Sequence, residues 1–399
     1  MSLRSVPLED ILVDLQPGFA SGANLDDGTL QVRMNNVKPD GSWDWSKKRR
    51  VPATPNQLSR YSLQKNDILF NATNSPEQVG KSAIYKGLSE VVTFSNHFLR
   101  LRVNSKLASA DYLTRYFAYL WQVGVFKNLI DAWVNQATVK REAFIALKIP
   151  LPSLEEQKRI AVILDKADAI RRKRQQAIEL ADQFLRSVFL DMFGDPLTNP
   201  KGWPKRPISK FGDVITGNTP SRKVPEYYGD HIEWIKSDNI NTPKHFLTCA
   251  NEYLSAEGLT KARSAPAGSL LVTCIAGSKD CIGNIAIADR AVSFNQQINA
   301  IVPYEGETLN FLYAQLLYNK NLVRAASTKS MKGMVSKSKF LSIELIYPDE
   351  ALQQTYSEIF SKSLEWAKKQ EDGLAFSNNI FNALSQRAFN GDLMTVKAA

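Results

Sequence analysis

The 399-residue chain holds only three cysteines, Cys249, Cys274 and Cys281, and three histidines, His97, His231 and His245. These are too few and too widely spaced for a disulfide framework or a closed zinc site, and they predict a reducing, cytoplasmic setting. No apolar run approaches the roughly 18 residues a membrane span needs. Met1-Ser-Leu-Arg-Ser-Val-Pro7 likewise lacks the apolar core of a signal peptide, so no membrane association is expected. Signatures of chemistry are missing too. Gly80-Lys81-Ser82 ends like a phosphate-binding loop, but Ser75 stands where that loop needs its first glycine. There is no GxGxxG and no Asn/Asp-Pro-Pro-aromatic tetrapeptide; Asn199-Pro200-Lys201-Gly202 is not one. Asp230 and Glu233 are too sparse for a nuclease carboxylate cluster. No catalytic, cofactor-binding or metal-binding residue is therefore expected, and the chain reads as a non-enzyme.

What the chain does have is a long-range repeat. Val139–Phe193 aligns on Val335–Phe389 without a gap, 196 residues apart, pairing Phe144 with Phe340, Pro152 with Pro348, Gln157 with Gln353 and Ile163 with Ile359. Such a period is too long for a solenoid or propeller blades. It reads as a duplicated module, a globular unit followed by a long helix, and such duplication suits a target with two halves. The boundaries expected are a globular unit over 1–152, a helical region over 153–195, a second globular unit over 196–348 and a second helical region over 349–399.

Both helices have legible limits. Ser153-Leu154-Glu155-Glu156 after Pro152 predicts a capping box, and Gly194 with Pro196 a left-handed stop. Ile160, Ile163, Ala167, Ile170, Arg174, Ala177, Ala181, Phe184 and Val188 step by three and four residues, a heptad seam. Asp349 caps the second helix and Asn390-Gly391 ends it. Phe360, Ala367, Leu374, Phe381 and Ala388 recur every seven residues with Leu364 alongside, although Gly373 and Asn378 interrupt the stripe. Helices of about 40 residues run roughly 60 Å, more than one small globular unit can cover. They are expected to pair antiparallel with each other as a spacer, in preference to each lying on its own unit.

The globular units read as α+β. Asp67-Ile-Leu-Phe70, Ser269–Thr273 and Asn284–Ala288 are expected buried strands, and 112–126 and 309–323 expected helices. Weaker matches relate the units, Leu69 with Leu271, Val79-Gly80 with Ile282-Gly283, and Val92-Thr93-Phe94 with Val292-Ser293-Phe294. The fold class expected is thus α+β: two globular α/β-mixed domains joined by two long antiparallel coiled-coil helices in an internal pseudo-twofold repeat. A net charge of +10 and a pI of about 9.3 favour polyanionic partners such as nucleic acid.

Here the residues carry a resemblance. Ile149-Pro-Leu-Pro-Ser-Leu-Glu-Glu-Gln-Lys-Arg-Ile160, leading into a helix that ends Phe193-Gly-Asp-Pro196, resembles the first conserved region of specificity (S) subunits of type I restriction–modification enzymes. Ile346-Tyr-Pro-Asp-Glu-Ala-Leu-Gln-Gln354, ending Phe389-Asn-Gly-Asp-Leu393, resembles the second, departing from it at Ala351 and Leu352. The resemblance covers essentially the whole chain. It implies that each globular unit is a target-recognition domain reading one half of a bipartite double-stranded DNA site, while the helices set the gap. It also implies that two modification subunits dock on the helices and bring S-adenosylmethionine to methylate adenine, and that two restriction subunits, where present, bring ATP and magnesium. This chain would hold no cofactor itself. An adenine must then leave the base stack to reach the partner's active site.

Candidate DNA contacts in the first unit are Arg33, Asn35 and Asn36, Lys47, Lys48 and Arg49, Asn71, Thr73 and Asn74, Asn96, Gln136 and Lys140. In the second they are Thr219, Ser221, Arg222 and Lys223, Lys236, Ser237, Asp238 and Asn239, Ser278 and Lys279, and Lys329, Lys332 and Lys337. Amides suit adenine edges and cations suit phosphates, although each residue taken singly also fits a solvated loop. Lys47-Lys48-Arg49-Arg50 beside Trp43 and Trp45 fits a phosphate contact or a plain charge run. Arg171-Arg172-Lys173-Arg174 fits the DNA backbone or a partner subunit, with Arg174 as a register-setting polar residue in the seam. Two other classes stay open: a DNA-binding protein without modification partners, and an enzyme with an unrecognised carboxylate site.

Overall fold

The computed structural model describes residues 4–132, 136–328 and 333–393. The chain divides into two compact units, Met1–Arg174 with Gly373–Ala399, and Gln175–Asp372. The long helices, Leu154–Phe193 and Glu350–Asn390, each give one half to each unit.

In the first unit a four-stranded antiparallel sheet runs in the order Leu12–Pro17, Phe98–Val103, Ile68–Asn71, Ser82–Ile84. Ile68–Asn71 is buried on both faces, hence its continuous apolar run. Its Phe70 ring lies 4.2 Å from Phe144, 5.0 Å from Phe126 and 5.8 Å from Phe117. A second sheet joins Arg50–Val51, Thr29–Val32 and Val92–Phe94, the last two in parallel. In the second unit the equivalent sheet is Gly212–Thr216, Ile298–Pro303, Leu270–Thr273, Ile285–Ile287. The second sheet there also contains one parallel pair, Tyr228–Ile235 with Val292–Phe294. Leu69 and Leu271 therefore occupy the same place in the same strand of two copies of one α+β scaffold. The expected helix over 112–126 is Ala110–Gln122, and that over 309–323 breaks into Leu309–Tyr318 and Asn321–Arg324.

The same device seats both long helices. Gln157 and Gln353 are fully buried, and their side-chain amides donate to Pro152 O at 2.9 Å and Pro348 O at 2.8 Å. The Gln157 carbonyl also accepts from Ser109 N, fastening the helix start to the N-cap of the helix Ala110–Gln122. Half of the predicted capping box forms: Ser153 Oγ accepts from Glu156 N, but the Glu156 carboxylate pairs with Arg159. Gly194 and Gly391 take φ of 76° and 93°, the left-handed stops that favour glycine.

Pairing and self-packing both occur. Within the first unit, Ile160 and Leu164 of the first helix share a core with Phe381, Ala388 and Phe389 of the second. Within the second unit, Leu185, Phe189 and Phe193 meet Tyr356 and Phe360. The second helix presents its expected stripe inward, with Phe360, Phe381 and Ala388 buried and Leu364, Ala367 and Leu374 half-buried. On the first helix the stripe needs correction. Ile160 and Ala181 are buried, and Ile163, Ala167, Arg174, Ala177 and Val188 are half-buried, but Ile170 and Phe184 are about half exposed, at 52% and 54%. The buried positions are Gln157, Ile160, Ala161, Leu164, Asp168, Ala181, Leu185, Phe189 and Phe193. The inward face is thus turned one residue toward the C-terminus, because the helix ends fill the cores of the globular units as well as facing the other helix. Gly373 has a local cause: a Cβ there would lie 2.1 Å from Arg174 Nη1, so the arginine crosses the second helix where no side chain stands.

Candidate nucleic-acid interface

Two of the candidate amides prove to be scaffold. In the first unit a 3-10 turn, Met34–Asn36, places Asn36 Oδ1 on Arg33 N at 2.8 Å, while its amide donates to Asp44 O and Lys47 O. In the second, Ser237–Asn239 repeats this, with Asn239 Oδ1 on Lys236 N at 3.0 Å and its amide on Cys249 O. Asn36 and Asn239 are buried and spend their polar atoms on the loop, so both leave the set of base readers. Their neighbours Asn35 and Asp238 are exposed at the tips of the same turns. In both turns, then, the side chain is buried at one position and exposed at the one before it.

The basic run splits in the same way. Lys47 and Lys48 are exposed, Lys47 lying 3.4 Å from Asp44. Arg49 instead donates to Ala23 O and Ser21 O, and Arg50 to Gly28 O and Glu90, so these two hold the loop together. Trp43 and Trp45 stack at 4.9 Å, and Trp43 Nε1 donates to Ile84 O, so the pair fastens this loop to the main sheet. Burial, with Arg49 nearby, pulls the Arg33 guanidinium below its ordinary pKa.

Asn71 is fully buried and cannot touch DNA; it sits at the end of the central strand, where Thr273 stands in the second unit. Thr73 and Asn74 form a short strand beside Ala137–Val139, with Thr73 Oγ1 3.1 Å from Thr138 Oγ1 and Asn74 accepting from Ser75 N. Asn96, Gln136 and Lys140 are exposed, and Lys140 pairs with Asp131. Lys81, the lysine of the would-be phosphate loop, points inward to Val37 O at 2.9 Å, and burial holds its pKa down.

In the second unit Thr219, Ser221, Arg222 and Lys223 are exposed together. Arg222 lies over Tyr228 at 4.5 Å and Trp234 at 5.1 Å and pairs with Glu252 at 2.6 Å. Lys236 pairs with the same carboxylate and sits over Trp234 at 5.2 Å. The Lys236 hydrogen bond, with Arg222 beside it, holds the Glu252 carboxyl below the ordinary range. Ser237 is half-buried; Ser278, Lys279 and Lys337 are exposed, Ser278 capping the 3-10 turn Lys279–Cys281. Lys329 and Lys332 lie outside the described residues. Sequence reasoning missed Glu252 and the aromatic bed, although Tyr228 and Trp234 lie on one strand with Asp230 and Glu233 between them, which was the available signal.

The long helices carry a second kind of surface. Leu180, Phe184 and Trp366 line one apolar groove in the second unit. Their counterparts 196 residues away, Phe376, Ile380 and Ile170, are all exposed in the first unit, Phe376 at 66%. Arg171 is committed elsewhere, pairing with Asp168 and lying 4.0 Å from the Phe381 ring, while Arg172 reaches Asp168 from the other side. Among the described residues no group of His, Cys, Asp and Glu is arranged to hold a metal, and no helix is long and apolar enough to cross a membrane.

The sequence matches the family described as Type I restriction modification DNA specificity domain twice, over residues 33–180 and 200–371. A putative type I restriction enzyme specificity subunit, MjaX, of Methanocaldococcus jannaschii is 30% identical over 296 residues, 69% of either chain. The HindI specificity subunit of Haemophilus influenzae is 32% identical over 174 residues, 41% of this chain and 37% of that one. The crystal structure of the type I restriction–modification S subunit from M. genitalium has the same fold, with a TM-score of 0.59 and 12% identity over 97% of this chain and 96% of that chain. The two family matches fall one on each copy of the repeat, and the chain belongs to the type I restriction–modification specificity family as a non-catalytic subunit that recognises DNA sequence.

Proposed function

We propose that this chain reads a bipartite duplex site, one half through each globular unit, and presents it to two modification subunits docked on its long helices. One observation carries the reading: the same scaffold occurs twice with different side chains at the tips of equivalent turns, Arg33-Met-Asn35 against Lys236-Ser-Asp238. The first set of contacts is Arg33, Asn35, Lys47, Lys48, Asn96, Gln136 and Lys140. The second is Thr219, Ser221, Arg222, Lys223, Lys236, Asp238, Ser278, Lys279 and Lys337. Cations position the duplex on its phosphates, and amides and hydroxyls read base edges. The exposed sets Leu180, Phe184, Trp366 and Ile170, Phe376, Ile380 suit two copies of one partner, because the repeat gives the same apolar positions twice. Methylation with S-adenosylmethionine, and ATP-driven restriction where restriction subunits join, then belong to those partners.

The test is a map of N6-methyladenine across the host genome with and without the gene. Loss of one split motif supports the reading. Unchanged methylation alongside sequence-specific DNA binding by the purified chain refutes the partner-dependent part and leaves a stand-alone DNA reader. Inserting about one helical turn, four residues, into both long helices should lengthen the gap between half-sites with the bases read unchanged.

A further inference from the structure

In the first unit, Asp168 of the first long helix is completely buried and serves three guanidinium groups: Arg115 at 2.9 Å, Arg171 at 2.7 Å and Arg172 at 2.7 Å. Arg115 comes from the recognition-unit helix Ala110–Gln122 and also pairs with Asp165 at 2.7 Å. Arg171 lies against Phe381 of the second long helix, and Gln122, on the same recognition helix as Arg115, donates to Asn382 at 2.7 Å. One carboxylate thus joins the recognition unit to both spacer helices. Burial draws the Arg115 pKa down, but Asp168 and Asp165 outweigh it, so the group is held charged.

The repeat provides an internal control. The counterpart of Asp168 is Leu364, half-buried against the apolar core of the second unit. The same station in the scaffold is therefore filled by ordinary apolar packing, and stability alone does not call for a buried ion cluster. Withdrawing charges from water is costly, and such clusters often stabilise no better than a well-packed apolar group. What they add is direction: fork-shaped guanidinium hydrogen bonds fix an angle, whereas an apolar contact tolerates sliding.

We infer that Asp168 is a positioning residue that fixes the angle of the first recognition unit on its spacer helices, and so sharpens discrimination of the gap between half-sites. This rests on the bipartite reading proposed above. Asp168 touches no DNA in this scheme; it acts through Arg115 and Arg171.

The experiment uses the full chain assembled with its modification subunits, on duplexes carrying the mapped half-sites at the native gap and at one base pair more or less. Asp168→Leu, which installs the residue of the second unit, and Arg115→Gln, which cuts the same joint from the other side should the first variant fail to fold, are compared with wild type. The expected result is a fall in discrimination between native and altered gaps of roughly tenfold, the scale of one lost coupled interaction, with base preference inside each half-site unchanged. An unaltered gap profile in either folded variant, whatever its melting temperature, overturns the inference. A wild-type complex indifferent to the gap refutes the two-half-site reading itself, a failure distinct from that of the joint.

Discussion

The closing segment of the second helix should be as much a part of the first recognition unit as its own sheet, and Phe389→Ala measures this. Phe389 is 6% exposed, with its ring 5.0 Å from Tyr116, 5.2 Å from Tyr119 and 5.6 Å from Tyr112, all on the helix Ala110–Gln122. Truncating a buried phenylalanine costs about 3–5 kcal/mol in lost transfer energy and residual cavity. At about 2–4 °C per kcal/mol for a unit of this size, the first unit should melt roughly 6–20 °C lower. Calorimetry or urea denaturation of wild type and variant would show it, with amide exchange in 110–122 assigning the transition. Phe193→Ala is the repeat-equivalent control: Phe193 is fully buried, 4.8 Å from Phe311 and 5.7 Å from Tyr356, and its loss should move only the transition of the second unit. A Phe389→Ala loss below about 0.5 kcal/mol, within the range of ordinary surface changes, would refute the shared core.

Other expectations follow from burial and crowding. Cys249 is exposed, whereas Cys274 is buried and its thiol is pushed up to about 12, so iodoacetamide at pH 8 should label Cys249 in the folded chain and reach Cys274 only on unfolding. Burial raises the Tyr116 and Tyr318 phenols to about 12 from an ordinary 10.0. Their contribution to stability is complete below pH 10 and is lost as pH climbs through about 12, so absorbance at 295 nm should show these phenols ionising only together with alkaline unfolding; free titration near pH 10 in the folded state would contradict the packing. Gly373→Ala should gain about 1 kcal/mol of helix propensity in an Arg174→Ala background and clearly less in wild type, where Arg174 occupies the space; equal gains in a double-mutant cycle would rule out that contact.

The duplication, the α+β class and the long helices were readable because they rest on local signals: Pro152 and Pro348 at equal spacing, glycine stops, and a buried Ile68-Leu-Phe run. The first-helix stripe was misread at Ile170 and Phe184 because two apolar ladders, one residue apart, both fit steps of three and four. Buried Asp168 breaks the true ladder and made the wrong one look cleaner. The repeat held the answer, since carrying Phe360, Leu364 and Phe381 back by 196 lands on Leu164, Asp168 and Leu185. The candidate contacts were legible as loops but not as residues. Whether an asparagine faces outward, like Asn35, or folds its amide into the turn, like Asn36, depends on partners as distant as Asp44 and Lys47, which no local pattern encodes.

The division of each long helix between two units also sets an order on how the chain can fold. The second unit, Gln175–Asp372, is one continuous stretch, so all of its core residues have been synthesised once Asp372 has been added. The first unit begins earlier yet cannot finish, since Phe381, Ala388 and Phe389 arrive more than 250 residues after the helix Ala110–Gln122 whose core they share. Closing contacts so distant in sequence is slow. Throughout that interval the tyrosine face of Ala110–Gln122 waits uncovered on the ribosome, and the half made first is the half completed last.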